Sequence, residues 1–132
     1  MMVSKENLYN YRFIIIILVL VAFDIFSKVI ANNNLLFGQS TETFIPFIKL
    51  LLIYNSGIAF GIFDDRGDLA SNLLLILTIL ITLYLLWMII KETRYRYKIA
   101  MSFIVSGAIG NVLDRINDGS VTDFLHLKIY NY

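Results

Sequence analysis

Several residue types that carry chemistry in small proteins are absent from this chain or occur once. Without any cysteine, it has no disulfide, no cysteine-ligated metal site and no thiol nucleophile. His126 is the only histidine, and one imidazole does not build a metal site. That histidine has no evident serine partner, and the sequence contains no Gly-rich phosphate loop. Carboxylates are therefore the remaining candidates for catalysis.

Charged residues are scarce too, at 16% of 132 residues, whereas 58% are hydrophobic and the mean hydropathy is +0.74. A composition this apolar is unusual for a soluble domain and predicts a small integral membrane protein, folded as one domain over residues 1–132. The formal net charge of +1 leaves no basic stripe for a nucleic acid, so we expect no nucleic-acid partner.

Three apolar segments predict three transmembrane helices, at about residues 13–31, 69–90 and 97–113. A bilayer requires about 20 apolar residues in a helix. The first segment could instead be the apolar region of a signal peptide. However, Asp24 and Lys28 follow where a small-residue cleavage site would be expected, which favours a transmembrane helix.

The third span carries Ser102, Ser106 and Gly110 at four-residue spacing. This spacing places three small residues on one helical face, which allows another helix to approach closely. We therefore expect this span to pack against its neighbours rather than to stand alone in lipid.

The loops differ in charge, and this predicts their sides of the membrane. The segment 91–98 has four basic residues and one acid, and the N-terminal twelve residues have two basic residues and one acid. Both should be cytoplasmic, whereas the connection 32–68, with more acids than bases, should lie outside. With three spans, the C-terminal part then ends outside.

The outer connection is rich in β-branched and aromatic residues over about 40–63, with the turn formers Asn55, Ser56 and Gly57. This pattern predicts a small extracytoplasmic β region between spans one and two, resting on the bilayer surface. The expected fold is a mainly α membrane protein with three transmembrane helices and this β region.

Asp24 and Lys28 are four residues apart, so on a helix they share a face and can pair. One interpretation is structural: the pair fastens span one to the outer sheet. The other makes Asp24 a proton carrier or a catalyst.

The stretch NSGIAFG, residues 55–61, is either a plain β-turn or a backbone that approaches a ligand closely, with the Asn55 amide binding a peptide. At the outer end of span three, Arg115 offers a planar fork of donors for a carbonyl or carboxylate, and Asp114 could hold that fork. Alternatively, the charges here only meet water at a helix end.

After these charges, Asp118 and Gly119 predict a turn, followed by a short strand that returns Asp123 toward the membrane surface. A lone aspartate in a loop is usually solvated, but the apolar neighbours Val121 and Phe124 favour a buried Asp123 carboxylate more than usual. Since these polar motifs fall on one side of the membrane, we expect them to converge. An aspartic hydrolase needs two carboxylates that share one proton, one acting as base and the other as acid.

Four segments, in order, resemble the lipoprotein signal peptidase (signal peptidase II) family of bacterial membrane aspartic proteases. FDIFSKVIA resembles its D-x-x-[ST]-K box, YNSGIAFGIF its N-x-G-A-A-F-G box, GAIGNVLDR its G-[AG]-x-G-N-x-x-D-R box, and VTDF its V-V-D-F box. Within these boxes, Ile58 stands where alanine is usual and Thr122 where valine is usual. Four boxes in this order are highly specific.

The resemblance implies roles for individual residues. Asp123 matches the first catalytic aspartate. Four residues match positions that line the site and bind the substrate: Asn55, Gly57, Asn111 and Arg115. Three others match structural supports: Asp24, Lys28 and Asp114.

The resemblance also implies an activity and a location. The family cuts diacylglyceryl-modified prolipoproteins just before the lipidated cysteine. No metal or organic cofactor is implied. The expected location is the bacterial cytoplasmic (inner) membrane, as a multi-pass monomer in contact with membrane lipid, with the N-terminus cytoplasmic and the site at the outer face.

The family has a further F-N-x-A-D box, which carries the second catalytic aspartate, and a fourth span. Nine residues follow Asp123 here, so we expect both features to be missing and the 132-residue chain to be a truncated member without activity. Two alternatives remain: a non-catalytic membrane protein that binds lipopeptides at the retained site, and a small ion or proton carrier using Asp24 and Lys28. The carrier fits poorly, because its ionisable residues should lie near the bilayer midplane.

The loop charges predict an orientation that single-cysteine labelling can test, since the chain has no cysteine of its own. In sealed spheroplasts, a membrane-impermeant maleimide should label a cysteine placed at position 65 and not one placed at position 94. Labelling at 94 without labelling at 65 would show that the orientation is inverted.

Overall fold

The computed structural model describes residues 5–57 and 67–127. The helices are α1 (Lys5–Asn34), α2 (Gly67–Lys91) and α3 (Tyr95–Asp118), and the strands are β1 (Ser40–Glu42), β2 (Ile48–Asn55) and β3 (Val121–Leu127). Three helical segments are long and apolar enough to cross a membrane: Tyr11–Asn34, Ser71–Lys91 and Tyr95–Asp118. The three predicted spans are confirmed. Each helix extends beyond the span expected from hydropathy, because hydropathy marks the apolar middle and not the polar last turns.

Helix α3 is the central helix, since it packs against both α1 and α2. The buried apolar core between the helices is formed by Ile17, Val21, Ile89 and Val105. Many other large apolar side chains on the helices remain exposed. This is the arrangement expected of helices that face lipid, because apolar surface need not be hidden from lipid tails.

The small-residue face of α3 is buried as predicted, with Ser102 0% and Ser106 5% exposed. Each hydroxyl donates a hydrogen bond to a backbone carbonyl of its own helix, so burial leaves no orphan polar group. Gly110 is buried on the same helix, and the Asp24 carboxylate of α1 lies where a β-carbon at Gly110 would stand. The absence of a side chain at this position lets α1 bring a charged group against α3.

The three strands form an antiparallel sheet in the order β1-β2-β3. The first two lie in the predicted β region, while its part from residue 58 to 63 lies outside the described residues. Strand β3 follows α3 after a turn at Gly119, whose φ of 71° is left-handed. This confirms the predicted turn and returning strand.

The sheet is attached to α1 by aromatic and polar contacts. The Tyr54 hydroxyl donates to Asn32 Oδ1 at 3.2 Å, and the Tyr54 ring stacks on Phe37 with ring centroids 5.4 Å apart. Because β2 leads to the site residues at its end, these contacts fix the sheet relative to the helices.

At the opposite end of the helices, Glu92 holds the connection between α2 and α3. Its carboxylate accepts hydrogen bonds from the Arg94 guanidinium at 3.1 Å and from two backbone N–H groups. The guanidinium of Arg94 lowers the pKa of Glu92 to about 2, with the backbone N–H groups adding to the effect. This exposed connection therefore keeps its ion pair throughout the physiological pH range.

Two glycines of α3 make a matched pair for testing the close approach of α1. In Gly110→Ala, the new methyl overlaps the Asp24 carboxylate, whose Cγ lies 2.8 Å from the β-carbon position. Asp24 has little room to move because it is paired with Lys28 at 2.8 Å. We expect a loss of roughly 1 to 3 kcal/mol of stability, the usual cost of overpacking. Unfolding of the purified protein in detergent measures it.

The control is Gly107→Ala, where no described residue outside the neighbouring turns of α3 lies within 4 Å of the β-carbon position. There alanine should be neutral or should stabilise by about 0.5 to 1 kcal/mol, because it replaces glycine inside a helix. Equal effects of the two substitutions would contradict the close contact between Gly110 and Asp24.

Candidate active site

Lys28 lies at the centre of the buried polar residues that join α1 to α3. Its ammonium nitrogen is 2.8 Å from Asp24 Oδ2 and 2.9 Å from Asp114 Oδ2, and it donates to Asn111 Oδ1 at 3.2 Å. The Lys28 side chain is only 7% exposed. The predicted pairing of Asp24 with Lys28 is confirmed. A lysine this deeply buried requires such partners, because a charge without them is costly in a membrane.

Asp24 and Lys28 interact mainly as ions. Asp24 Oδ2 is buried and has no hydrogen bond of standard geometry among the described residues, although the Lys28 ammonium is 2.8 Å away. The contact is short but off the preferred hydrogen-bond direction. We regard it as a charge contact, since attraction between charges depends on distance much more than on angle.

Asp114 does not hold Arg115, contrary to the sequence-based prediction. Instead, its Oδ2 pairs with Lys28 and accepts the backbone N–H of Thr122 at 3.0 Å. Consecutive helical residues point about 100° apart, so Asp114 faces α1 and β3. The predicted fastening of span one to the sheet therefore runs through α3, from Lys28 to Asp114 to Thr122.

Asp123 directly follows Thr122 in β3, and its side chain is exposed, although its apolar neighbours in the sequence favoured burial. Val121 and Thr122 are buried, and the Asp123 side chain instead faces open space. The Asn55 side chain donates a hydrogen bond from Nδ2 to Asp123 Oδ2 at 3.0 Å. The pairing of β2 with β3 brings the two residues together, because Ile53 is opposite Asp123 and Asn55 is opposite Val121.

Asn55 also shapes the turn that follows β2. Its Oδ1 accepts the backbone N–H of Gly57 at 2.7 Å, and Gly57 has a left-handed φ of 85°. A β-carbon at Gly57 would stand 2.5 Å from Leu74 Cδ1 and 3.4 Å from Arg115 Nη2. The left-handed backbone and the lack of room for a β-carbon therefore both require glycine at position 57. The rest of the motif, residues 58–61, lies outside the described residues.

Arg115 extends its guanidinium toward this turn. Its Nε is buried and has no hydrogen-bond partner among the described residues. A buried donor without a partner is costly, so this nitrogen is suited to a group that arrives with an acceptor. Neither Leu74, which contacts the glycine position, nor the Thr122 amide was predicted from the sequence, because a packing contact and a backbone N–H leave no signature in residue type.

An open cleft of about 570 Å³ lies between α1, α3 and β3. Its apolar lining includes Leu20, Phe23, Phe103, Phe124 and Leu125, and its polar lining includes Asp24, Ser27, Lys28, Asn111 and Asp123. Asp123 lines this cleft and also a second pocket, which it shares with Asn55, Ser56 and His126. The residue therefore lies between an apolar surface suited to lipid and the turn after β2. In the described ranges, no group of three or more His, Asp or Glu side chains is placed to hold a metal ion.

The predicted site residues thus form two connected groups. Asn55, Gly57, Arg115 and Asp123 lie around the turn after β2, while Asp24, Asn111 and Asp114, all partly buried, surround the buried Lys28 beside them. Asn111 was predicted to bind substrate, and its Oδ1 here accepts a hydrogen bond from Lys28. Motifs distant in sequence converge as expected.

Comparisons with known proteins agree with this geometry. Residues 16–132 match the family described as Signal peptidase (SPase) II. The "Lipoprotein signal peptidase" of Pelagibacter ubique is 38% identical over 98% of this chain and 78% of its own length. Those of Wigglesworthia glossinidia brevipalpis and Cupriavidus necator are each 34% identical, over 99% and 87% of this chain and over 80% and 66% of their own lengths.

Two solved structures, each described as a bacterial membrane enzyme determined by the in meso method, are similar in fold. The one at 1.9 Å resolution has a TM-score of 0.75 and 31% identity, and covers 92% of this chain and 77% of its own. The one at 2.3 Å has a TM-score of 0.74 and 30% identity, with coverages of 92% and 73%. The chain is therefore a multi-pass membrane protein that belongs to the signal peptidase II family of aspartic peptidases.

Proposed function

We propose that this chain recognises diacylglyceryl-modified prolipoproteins and supplies one catalytic carboxylate, Asp123, for removal of their signal peptides. The observation that carries the proposal is the hydrogen bond of 3.0 Å between Asn55 and Asp123. It holds an exposed carboxylate between the apolar cleft and a second pocket lined by Asn55, Ser56 and His126, where a lipid-modified peptide can reach it from the bilayer. The names of the relatives support the substrate class.

Asp123 serves as base toward water or as acid toward the scissile carbonyl. Donation from the Asn55 amide orients the carboxylate, and the backbone of β3 is held by the bond between Thr122 and Asp114. Peptide hydrolysis needs a second carboxyl group for the complementary proton transfer. Asp24 and Asp114 are poor candidates, because each already pairs with the Lys28 ammonium within 3 Å and serves to join α1 to α3.

The substrate backbone is recognised by Arg115 and by the turn at Gly57. Arg115 Nε, which has no hydrogen-bond partner within residues 5–57 and 67–127, can donate to a peptide carbonyl, and the missing side chain at Gly57 leaves the guanidinium room beside the turn. Charge-assisted hydrogen bonds of this kind are stronger than neutral ones and are directional.

We further propose that the protein is a monomer of the bacterial cytoplasmic membrane with a cytoplasmic N-terminus. The site lies at the C-terminal end of α3, and the basic connection 91–98 adjoins its N-terminal end. If that connection is cytoplasmic, as its charge predicts, the site faces outward. A lipid-modified precursor that has crossed the membrane meets the site there.

The role of Arg115 can be separated from a role in folding. Arg115→Lys keeps the charge and removes the planar fork, so binding of a lipopeptide substrate analogue should weaken by roughly 1 to 3 kcal/mol while stability is unchanged. Arg96→Lys is the matched control, because Arg96 is exposed near the other end of α3 and should bind the analogue as the parent does. Unchanged binding with clearly reduced stability would make Arg115 a structural residue.

The need for a second carboxylate can be tested by extension. Asp24 and Asp114 are both engaged by Lys28, so neither is free to act as the second carboxylate. We expect the 132-residue chain to bind lipidated prolipoprotein without cleaving it. Fusion to the C-terminal segment of a relative, with its second aspartate and fourth span, should confer cleavage. Loss of one member of a catalytic pair typically costs on the order of 10⁴ in rate. Turnover of lipidated precursor by purified proteins measures this.

Asp123→Asn in the extended protein is the control, and it should abolish cleavage while binding persists. Cleavage by the 132-residue chain that depends on Asp123 would show that a second carboxylate within it does the work. Binding without cleavage in both the short and the extended protein would instead support the non-catalytic lipopeptide-binding function.

A further inference from the structure

The connection between β1 and β2, residues 43–47, is a rigid hairpin tip. Thr43 Oγ1 donates to Ile48 O at 2.6 Å and accepts the backbone N–H of Ile45 at 3.2 Å. Ile48 N donates to Ile45 O at 3.1 Å, which closes a turn with Pro46 as its second residue. Proline is favoured at this turn position because its φ is already fixed there. The only proline of the chain therefore stiffens the tip.

This tip presents apolar side chains that no described part of the protein covers. Phe44 is 96% exposed, Phe47 67% and Ile45 40%. Burial of apolar surface is worth about 25 cal/mol per Å², so leaving two phenylalanines in water is unfavourable. The rigidity of the turn keeps them from folding back against the sheet. Apolar side chains that a rigid turn holds away from the rest of the protein indicate a contact with membrane lipid or with another protein.

Membrane lipid is the occupant that the surroundings favour. Helix α1 ends at Asn34, and β1 begins only six residues later. Between them, Leu36 and Phe37 are 66% and 63% exposed, and Phe37 stacks on Tyr54, near the end of β2 away from the tip. Exposed apolar side chains therefore occur at both ends of the sheet, beside helices whose exposed apolar surface is suited to lipid.

The residues at the base of the tip, in contrast, are charged. Lys49 Nζ pairs with Glu42 Oε1 at 2.7 Å, across the two strands that lead into the tip. A charged pair below an apolar end matches the boundary between headgroups and acyl chains, where apolar side chains enter and charged groups stay at the surface.

We propose that the hairpin tip, residues 43–47, inserts into the leaflet beside the sheet and anchors the sheet at a fixed height on the bilayer. Strand β2 runs from the tip to Asn55, about 23 Å at 3.3 Å per residue. The sheet is then held at two ends, by lipid at the tip and by the Thr122–Asp114 hydrogen bond near the site. This inference concerns the sheet and the membrane, and it does not rest on the proposed peptidase function.

Site-directed fluorescence tests the insertion directly, since the chain contains no cysteine. Phe44→Cys and Thr41→Cys, both at exposed positions, are each labelled with a polarity-sensitive nitrobenzoxadiazole dye. The labelled proteins are reconstituted into phosphatidylcholine vesicles with or without phosphatidylcholine that carries a nitroxide on its acyl chain. At position 44 we expect blue-shifted emission and loss of most of it with the nitroxide lipid. At position 41, above the charged base, emission should remain water-like and largely unquenched.

Three results would overturn the proposal. Water-like, unquenched emission at 44 would place the tip in solvent. Equal quenching at 41 and 44 would mean that the strand lies in the bilayer and that the tip is no distinct anchor. Blue-shifted emission at 44 without nitroxide quenching would mean that protein covers the tip, and dependence on protein concentration in detergent would identify that protein as a second copy.

Discussion

The structure depends on the burial of one positive charge at the end of the helices. Lys28 is 6% exposed in a helix that crosses the membrane, and it lies within 3 Å of two carboxylates from different helices. Removing one partner from such a buried pair typically costs about 3 to 5 kcal/mol, because the remaining charge is left uncompensated. The position of α1 against α3 is therefore fixed by charge as well as by packing. Gly110 makes this possible by leaving room for the Asp24 carboxylate.

The buried network supports a site that is itself open. Asp114 holds the backbone of β3 at Thr122, and the side chain of the next residue, Asp123, is exposed at the edge of the cleft. Asn55 then joins that carboxylate to the turn at Gly57 through the two ends of a single amide group. The backbone of β3 is held in place, while the Asp123 side chain that it carries remains exposed, and the two properties are complementary. A catalytic group must be held in position and must still be reached by a substrate.

The sequence was informative wherever a local pattern determines the structure. Apolar runs predict the three spans, four-residue spacing predicts the pairing of Asp24 with Lys28, and the small residues of α3 predict a buried face. Prediction from the sequence failed where contacts between distant parts of the chain determine which side chains meet. Asp114 adjoins Arg115 in sequence yet pairs with Lys28, and Asp123 has apolar neighbours yet is exposed. Both errors come from ranking partners by sequence separation, whereas helix phase and strand pairing determine which groups meet in space.

The pairing of β2 with β3 also sets an order of events during synthesis. Asn55 and Asp123 are separated by 68 residues, and two membrane-spanning helices lie between them in the chain. At 5 to 20 residues per second, a ribosome needs roughly 3 to 14 s to pass from one residue to the other. Until then, β2 has no β3 to pair with and Asn55 no carboxylate to orient. The hydrogen bond between Asn55 and Asp123 therefore forms only after both intervening helices have been synthesised.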